Sequence, residues 1–157
     1  MRPPAPSAAS WLGVALLASL GVWPLLPVLA EAWLALAPLA HLLEPWFALQ
    51  CERDPARTLW LGGTPLAVCA RCSGIYFGLG IGALVRRPAL GARRLALAVG
   101  GAAALLLLDI ALEHNGTHGN WAAWRVVTGS LLGYPVGAGL AALIAGPTGS
   151  EARNATA

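Results

Sequence analysis

The stretch LAVCARCSGIYFGLGIGALV, residues 66–85, decides how the rest of the chain is read. A helix rising 1.5 Å per residue needs about 20 apolar residues to cross roughly 30 Å of hydrocarbon. This stretch is that long, and its one charged residue, Arg71, sits near the start. It is read as a membrane span with a C-x-x-C at its entrance. Working outward, three more runs have the same character. They cover about 11–30, 94–112 and 123–145.

Composition agrees with this reading. Hydrophobic residues make up 57% of the 157 and charged residues 11%, whereas a soluble domain carries about a quarter charged. The expected fold is all-α: an integral membrane helical bundle of about four transmembrane helices with one short interfacial or re-entrant helix. It forms a single polytopic domain over 1–145, with a disordered cytoplasmic tail at 146–157. Ala30-Glu31-Ala32 has the small-residue look of a signal cleavage site. The run before it is longer than a signal core, however, and Pro24 and Pro27 fall where a membrane helix tolerates a kink.

The segment 31–65 is an outer loop. Its first part is apolar but interrupted by Pro38, His41, Glu44 and Pro45, and it carries Trp33, Trp46 and Phe47. Aromatic rings sit well at headgroup depth, so this part reads as the short interfacial helix. Orientation follows from Arg86, Arg87, Arg93 and Arg94, which crowd the connection between the second and third spans. The positive-inside rule places that connection in the cytoplasm. Both termini then lie inside, the protein sits in the inner membrane, and 31–68 and 113–122 face outward. Trp60, Trp121 and Trp124 fit an outer aromatic belt.

Glycines recur at every fourth position in two spans: Gly74, Gly78 and Gly82 in the second, Gly129, Gly133 and Gly137 in the fourth. Spacing of four puts each trio on one helix face, where another backbone can approach closely. Such faces join the two spans to each other, to partner helices or to a second copy.

The chemistry converges on the outer side. Cys69 and Cys72 form the C-x-x-C, and Cys51 lies on the same side. A helix N-terminus and Arg71 beside the thiols favour thiolate, the species that binds metal or attacks a disulfide. Glu52, His114 and His118 share that face. Three thiols with a carboxylate or imidazole as fourth donor suit zinc, and softer thiolate-rich sets also suit copper(I) or another transition metal. Asp109 and Glu113 are four apart at the outer end of the third span. A carboxylate that deep should face the bundle and pair, with Arg71 or Arg125 as candidates.

The text from Gln50-Cys51-Glu52-Arg53 through Arg57-Thr58 to Pro65-Leu66-Ala67-Val68-Cys69-Ala70-Arg71-Cys72-Ser73-Gly74-Ile75-Tyr76 resembles a prokaryotic family of membrane proteins called domain of unknown function 2085. Arg125-Val126-Val127-Thr128-Gly129 through Gly133 matches a downstream element of that family. The resemblance covers about 40–140. It implies a membrane protein and marks these residues as the important ones, but it implies no activity. The family's usual histidine after the first cysteine is Glu52 here.

Three functions compete on this reading. The first is a metal site, the second a structural membrane protein with a Cys69–Cys72 disulfide, the third a membrane thiol–disulfide redox protein. The third needs a second cysteine pair and finds only Cys51. Whether the chain is an enzyme stays open at this level. Nucleic-acid binding is excluded by the lack of a basic stripe. A phosphate-binding loop is excluded because there is no G-x-x-x-x-G-K-S/T and no lysine. The lipid bilayer is the expected partner.

Overall fold

The computed structural model describes residues 8–85, 91–117, 119 and 121–145. The tail at 146–157, Arg86, Arg87 and His118 lie outside the described residues. The chain starts with α1 (Ala8–Ser19), tightens into a 3₁₀ segment at Leu20–Leu25 and resumes as α2 (Leu26–Ala32). Pro24 sits inside the 3₁₀ segment. With no N–H to donate, it breaks the i→i−4 ladder, and the tighter i→i−3 pattern carries the chain past it. After a 3₁₀ turn at Leu34–Leu36, α3 (Ala37–Gln50) follows, with Pro38 in its first turn, where a missing N–H costs nothing.

A β-hairpin comes next: β1 (Thr58–Leu61) pairs antiparallel with β2 (Thr64–Cys69), joining Thr58 to Cys69 and Leu61 to Thr64. Then come α4 (Ala70–Val85), α5 (Ala92–His114) and α6 (Ala122–Ala145). The all-helical expectation is therefore corrected by one two-stranded sheet, and the helix expected from Leu66 begins only at Ala70. The cause is the two-residue turn Gly62-Gly63, with φ of +59° and +90°. That left-handed pair matches the twist of a tight hairpin and is strained for residues with a Cβ. It folds Leu66–Val68 back along β1 as strand, and Leu66, Ala67 and Val68 are buried there.

Helices α4 and α6 run parallel and form the most extensive contact in the molecule. Carbonyls of one helix lie where side chains of the other would begin. A Cβ at Gly74 would meet the backbone of Val126, and at Gly82 that of Tyr134; Gly129, Gly133 and Gly137 face Arg71, Ile75 and Leu79 in return. The Ser130 hydroxyl donates to the Gly74 carbonyl across this seam at 3.1 Å. On another side of α4, Gly80 meets Gly21 backbone to backbone and so admits the first helical path.

Two apolar clusters result. Leu26, Phe47, Ala67, Val68 and Tyr76 pack beneath the hairpin. Val14, Ala83 and Ala141 pack at the opposite end. Helix α5 rests on the outside of α6, and Asp109 is its one buried residue.

Among the described residues three helical paths are long and apolar enough to cross a membrane: Ala8–Ala32, Ala92–His114 and Ala122–Ala145. The remaining apolar helix, α4, has 16 residues and is shorter than a usual span. Large apolar side chains such as Leu97, Leu107, Leu131 and Leu143 are exposed on these helices. Lipid, unlike water, covers such surface without cost.

Candidate metal centre

The end of α3 is pinned to α4. The Tyr76 hydroxyl donates to Gln50 Oε1 at 2.7 Å and accepts from Trp46 Nε1 at 3.2 Å. Phe47 meets the Tyr76 ring edge-on, with centroids 6.2 Å apart. Cys51 is the first residue after α3, in extended conformation, with its N–H on the Phe47 carbonyl at 3.0 Å. Anchoring α3 in this way fixes where Cys51 lies.

Cys69 closes β2 and directly precedes α4, and Cys72 lies in the first turn of that helix. The three sulfurs lie within 4.8 Å of one another. The Cys69 backbone N–H donates to Cys51 Sγ at 3.2 Å, tying the loop cysteine to the hairpin. All three cysteines are free thiols and half-buried. Cys51 and Cys72 also pack against the apolar cluster of Phe47, Val68 and Tyr76.

Hydrogen-bond donors surround the Cys69 sulfur: the Cys72 and Cys51 thiols and the backbone N–H groups of Cys72 and Arg71. Donors aimed at a sulfur at the head of a helix stabilise its thiolate.

The donor set fits a soft or borderline cation. Zinc–sulfur bonds of about 2.3 Å at tetrahedral angles put sulfurs about 3.8 Å apart, so a cluster within 4.8 Å needs only a small contraction to close around an ion. Among the described residues the group contains these three cysteines alone. Glu52 and His114 are exposed and stand outside it, and His118 falls outside the described residues.

A second polar layer lies beside the thiols. Arg71, between the two cysteines of the C-x-x-C, turns to α5. Its Nε and Nη2 donate to Asp109 Oδ2 at 3.1 and 2.5 Å, and Nη2 also reaches Glu113 Oε2 at 3.0 Å. Arg125 of α6 pairs with Glu113 Oε1, and Arg57, just before β1, stands 3.6 Å from the same oxygen. Thr128 donates to Asp109 Oδ2 at 3.4 Å. Asp109 and Arg125 are 2% and 3% exposed, so these charges are viable only because they meet one another. Gln50, Arg57 and Tyr76 all fall in the family-like text, but the sequence assigned none of them a contact: Tyr76 with Gln50 and Arg57 with Glu113 emerge only in the fold. Gly62-Gly63 was the one signal of the hairpin that brings Arg57 and Cys69 to this region.

Residues 51–138 match the family described as "Predicted membrane protein (DUF2085)". The matched segment starts at Cys51 and holds all three cysteines, Arg71, both carboxylates of α5 and the glycine seam. No curated protein and no solved structure matches the chain.

Proposed function

The chain belongs to the DUF2085 family of predicted membrane proteins, and from that premise we propose that it is a multi-pass membrane protein carrying a transition-metal site of Cys51, Cys69 and Cys72 at its outer face. Four crossings are proposed: the three long helical paths and α4. At 1.5 Å per residue α4 covers about 24 Å, and the extended end of β2 supplies the remaining thickness. Non-helical backbone at that depth is tolerated because Leu66–Val68 are buried within the protein. The arginines at 86–94 place that end in the cytoplasm, with both termini. The thiols then face the cell exterior.

The observation that carries the metal reading is the meeting of three sulfurs from three separate pieces of chain: the end of α3, the end of β2 and the first turn of α4. Zinc bound there would cross-link the loop, the hairpin and the bundle, and the binding energy would appear as folding stability. Copper(I) suits the same soft set. A second reading has its own support in the closeness of the Cys69 and Cys72 sulfurs: a Cys69–Cys72 disulfide, structural or exchanging.

Elemental analysis of the full chain, purified anaerobically in detergent without a histidine tag, separates the two. About one zinc or copper per chain, lost in Cys69→Ser and kept in His41→Ala, supports the metal site. Absence of metal with a Cys69–Cys72 disulfide in the peptide map contradicts it and favours the second reading.

A further inference from the structure

A cavity of about 580 Å³ opens between the end of the first helical path, α3 and the hairpin. It is separate from the thiol cluster, although Phe47 and Ala67 form a shared wall between the two. Its volume falls within the range of small-molecule sites, about 300–1,000 Å³, and such sites are apolar with a few placed polar groups. The walls follow that pattern. Leu26, Leu34, Phe47 and Leu66 supply hydrocarbon, while Glu31, Glu44 and Arg53 supply charge.

The two carboxylates are met differently. Arg53 donates to Glu44 at 3.1 Å, and His41 Nδ1 stands 3.9 Å from the same carboxylate, whereas Glu31 is exposed at the cavity's edge. The Glu31 carboxylate accepts from the Thr64 hydroxyl, a neutral donor, and among the described residues no cation pairs with it. A ligand that completes this cavity therefore brings a cation to Glu31 and an apolar portion to the leucine and phenylalanine walls. Arg53 lines the same space, and its guanidinium has N–H donors beyond the one on Glu44, which suits an anionic oxygen on the same head.

We propose that this cavity binds the headgroup and first methylenes of a zwitterionic aminophospholipid, its primary ammonium on Glu31, its phosphate toward Arg53 and its chain against Leu26, Phe47 and Leu66. Placement favours a lipid over a soluble amine. The cavity lies beside α3, whose Leu39, Leu42, Trp46 and Leu49 form one exposed apolar stripe, and a helix of this kind lies in the interface plane among headgroups. The proposal shares the membrane placement argued above and is independent of the thiols, so its failure leaves the metal stoichiometry untouched.

The test titrates the delipidated full chain in detergent with short-chain phosphatidylethanolamine, with phosphatidylglycerol and with soluble phosphoethanolamine, counting adducts by native mass spectrometry. One phosphatidylethanolamine per chain is expected, bound at least about tenfold more tightly than phosphatidylglycerol, the scale of one charge-assisted hydrogen bond. Glu31→Gln should remove that preference. Ala37→Trp, which fills the cavity and leaves the charged groups in place, should abolish binding with the unfolding midpoint retained. Equal affinity for the two lipids, unchanged preference in Glu31→Gln, or unchanged binding in Ala37→Trp overturns the proposal. Phosphoethanolamine binding as tightly as the lipid overturns its apolar half.

Discussion

At the scale of residues, Glu113 ties together three parts of the fold. Three arginines from three elements meet it: Arg57 ahead of the hairpin, Arg71 of α4 and Arg125 of α6. Removing it leaves Arg125 buried without a carboxylate on its terminal nitrogens, and breaking a buried pair from one side costs about 3–5 kcal/mol. Glu113→Ala should therefore lower the unfolding midpoint in mild detergent sharply. Arg57→Ala should cost under about 1 kcal/mol, because that side chain is half exposed and sits at 3.6 Å. Equal losses for the two variants would contradict this division. The sequence shows that Asp109 and Glu113 stand four apart on one helix. It does not show which arginine each meets, since that depends on how far α5 is rotated against α4 and α6.

At the scale of elements, glycine positions separate the close seams from open faces. A Cβ at Gly133 would collide with the Ile75 backbone, whereas one at Gly100 of α5 meets open space. Gly133→Leu should force α4 and α6 apart at a cost of about 3 kcal/mol or more, and Gly100→Leu should leave the thermal midpoint nearly unchanged. Equal midpoints for the two would show that the seam is not packed as described.

The period of four in both helices was legible because it repeats over several turns. The contact of Gly80 with Gly21 was not, since it rests on a single glycine offset by two from the main row. The hairpin was written in Leu61-Gly62-Gly63-Thr64, but a run of apolar residues starting at Leu66 also reads as helix by length, and periodicity cannot separate the two. Gly62→Val places a branched residue at φ +59°. It should cost about 1–2 kcal/mol and loosen the strand that delivers Cys69, seen as a lower midpoint and faster hydrogen exchange of residues 64–69.

At the scale of the whole molecule, the two ends differ in kind. At one end Val14 of α1, Ala83 of α4 and Ala141 of α6 pack together, and Leu95 of α5 lies against Gly139. The hairpin, α3, the thiols and the Arg71–Asp109–Glu113–Arg125 layer occupy the other. Composition alone made the membrane class plain, and the proposed direction of insertion rests on the arginine distribution. A cysteine introduced at Thr117 should be labelled in intact cells by a membrane-impermeant maleimide, and one introduced at Gly91 only after lysis, with peptide mapping to distinguish them from the native thiols. The reverse pattern would invert the topology and place the thiols in the cytoplasm.

The three cysteines could be read together from the sequence because they fall on the same side of the expected topology; Glu52 and His114, read with them, stand outside the thiol group. How Cys51 reaches the other two, through the Tyr76 anchor on α3 and the Cys69 N–H, has no local signature. The central claim is that these three sulfurs hold one ion. X-ray absorption at the edge of whichever metal copurifies tests it most directly. The account predicts three sulfur scatterers, at about 2.3 Å if the metal is zinc, falling in number in Cys51→Ser. A shell of nitrogen and oxygen alone, or one unchanged in that variant, would contradict it.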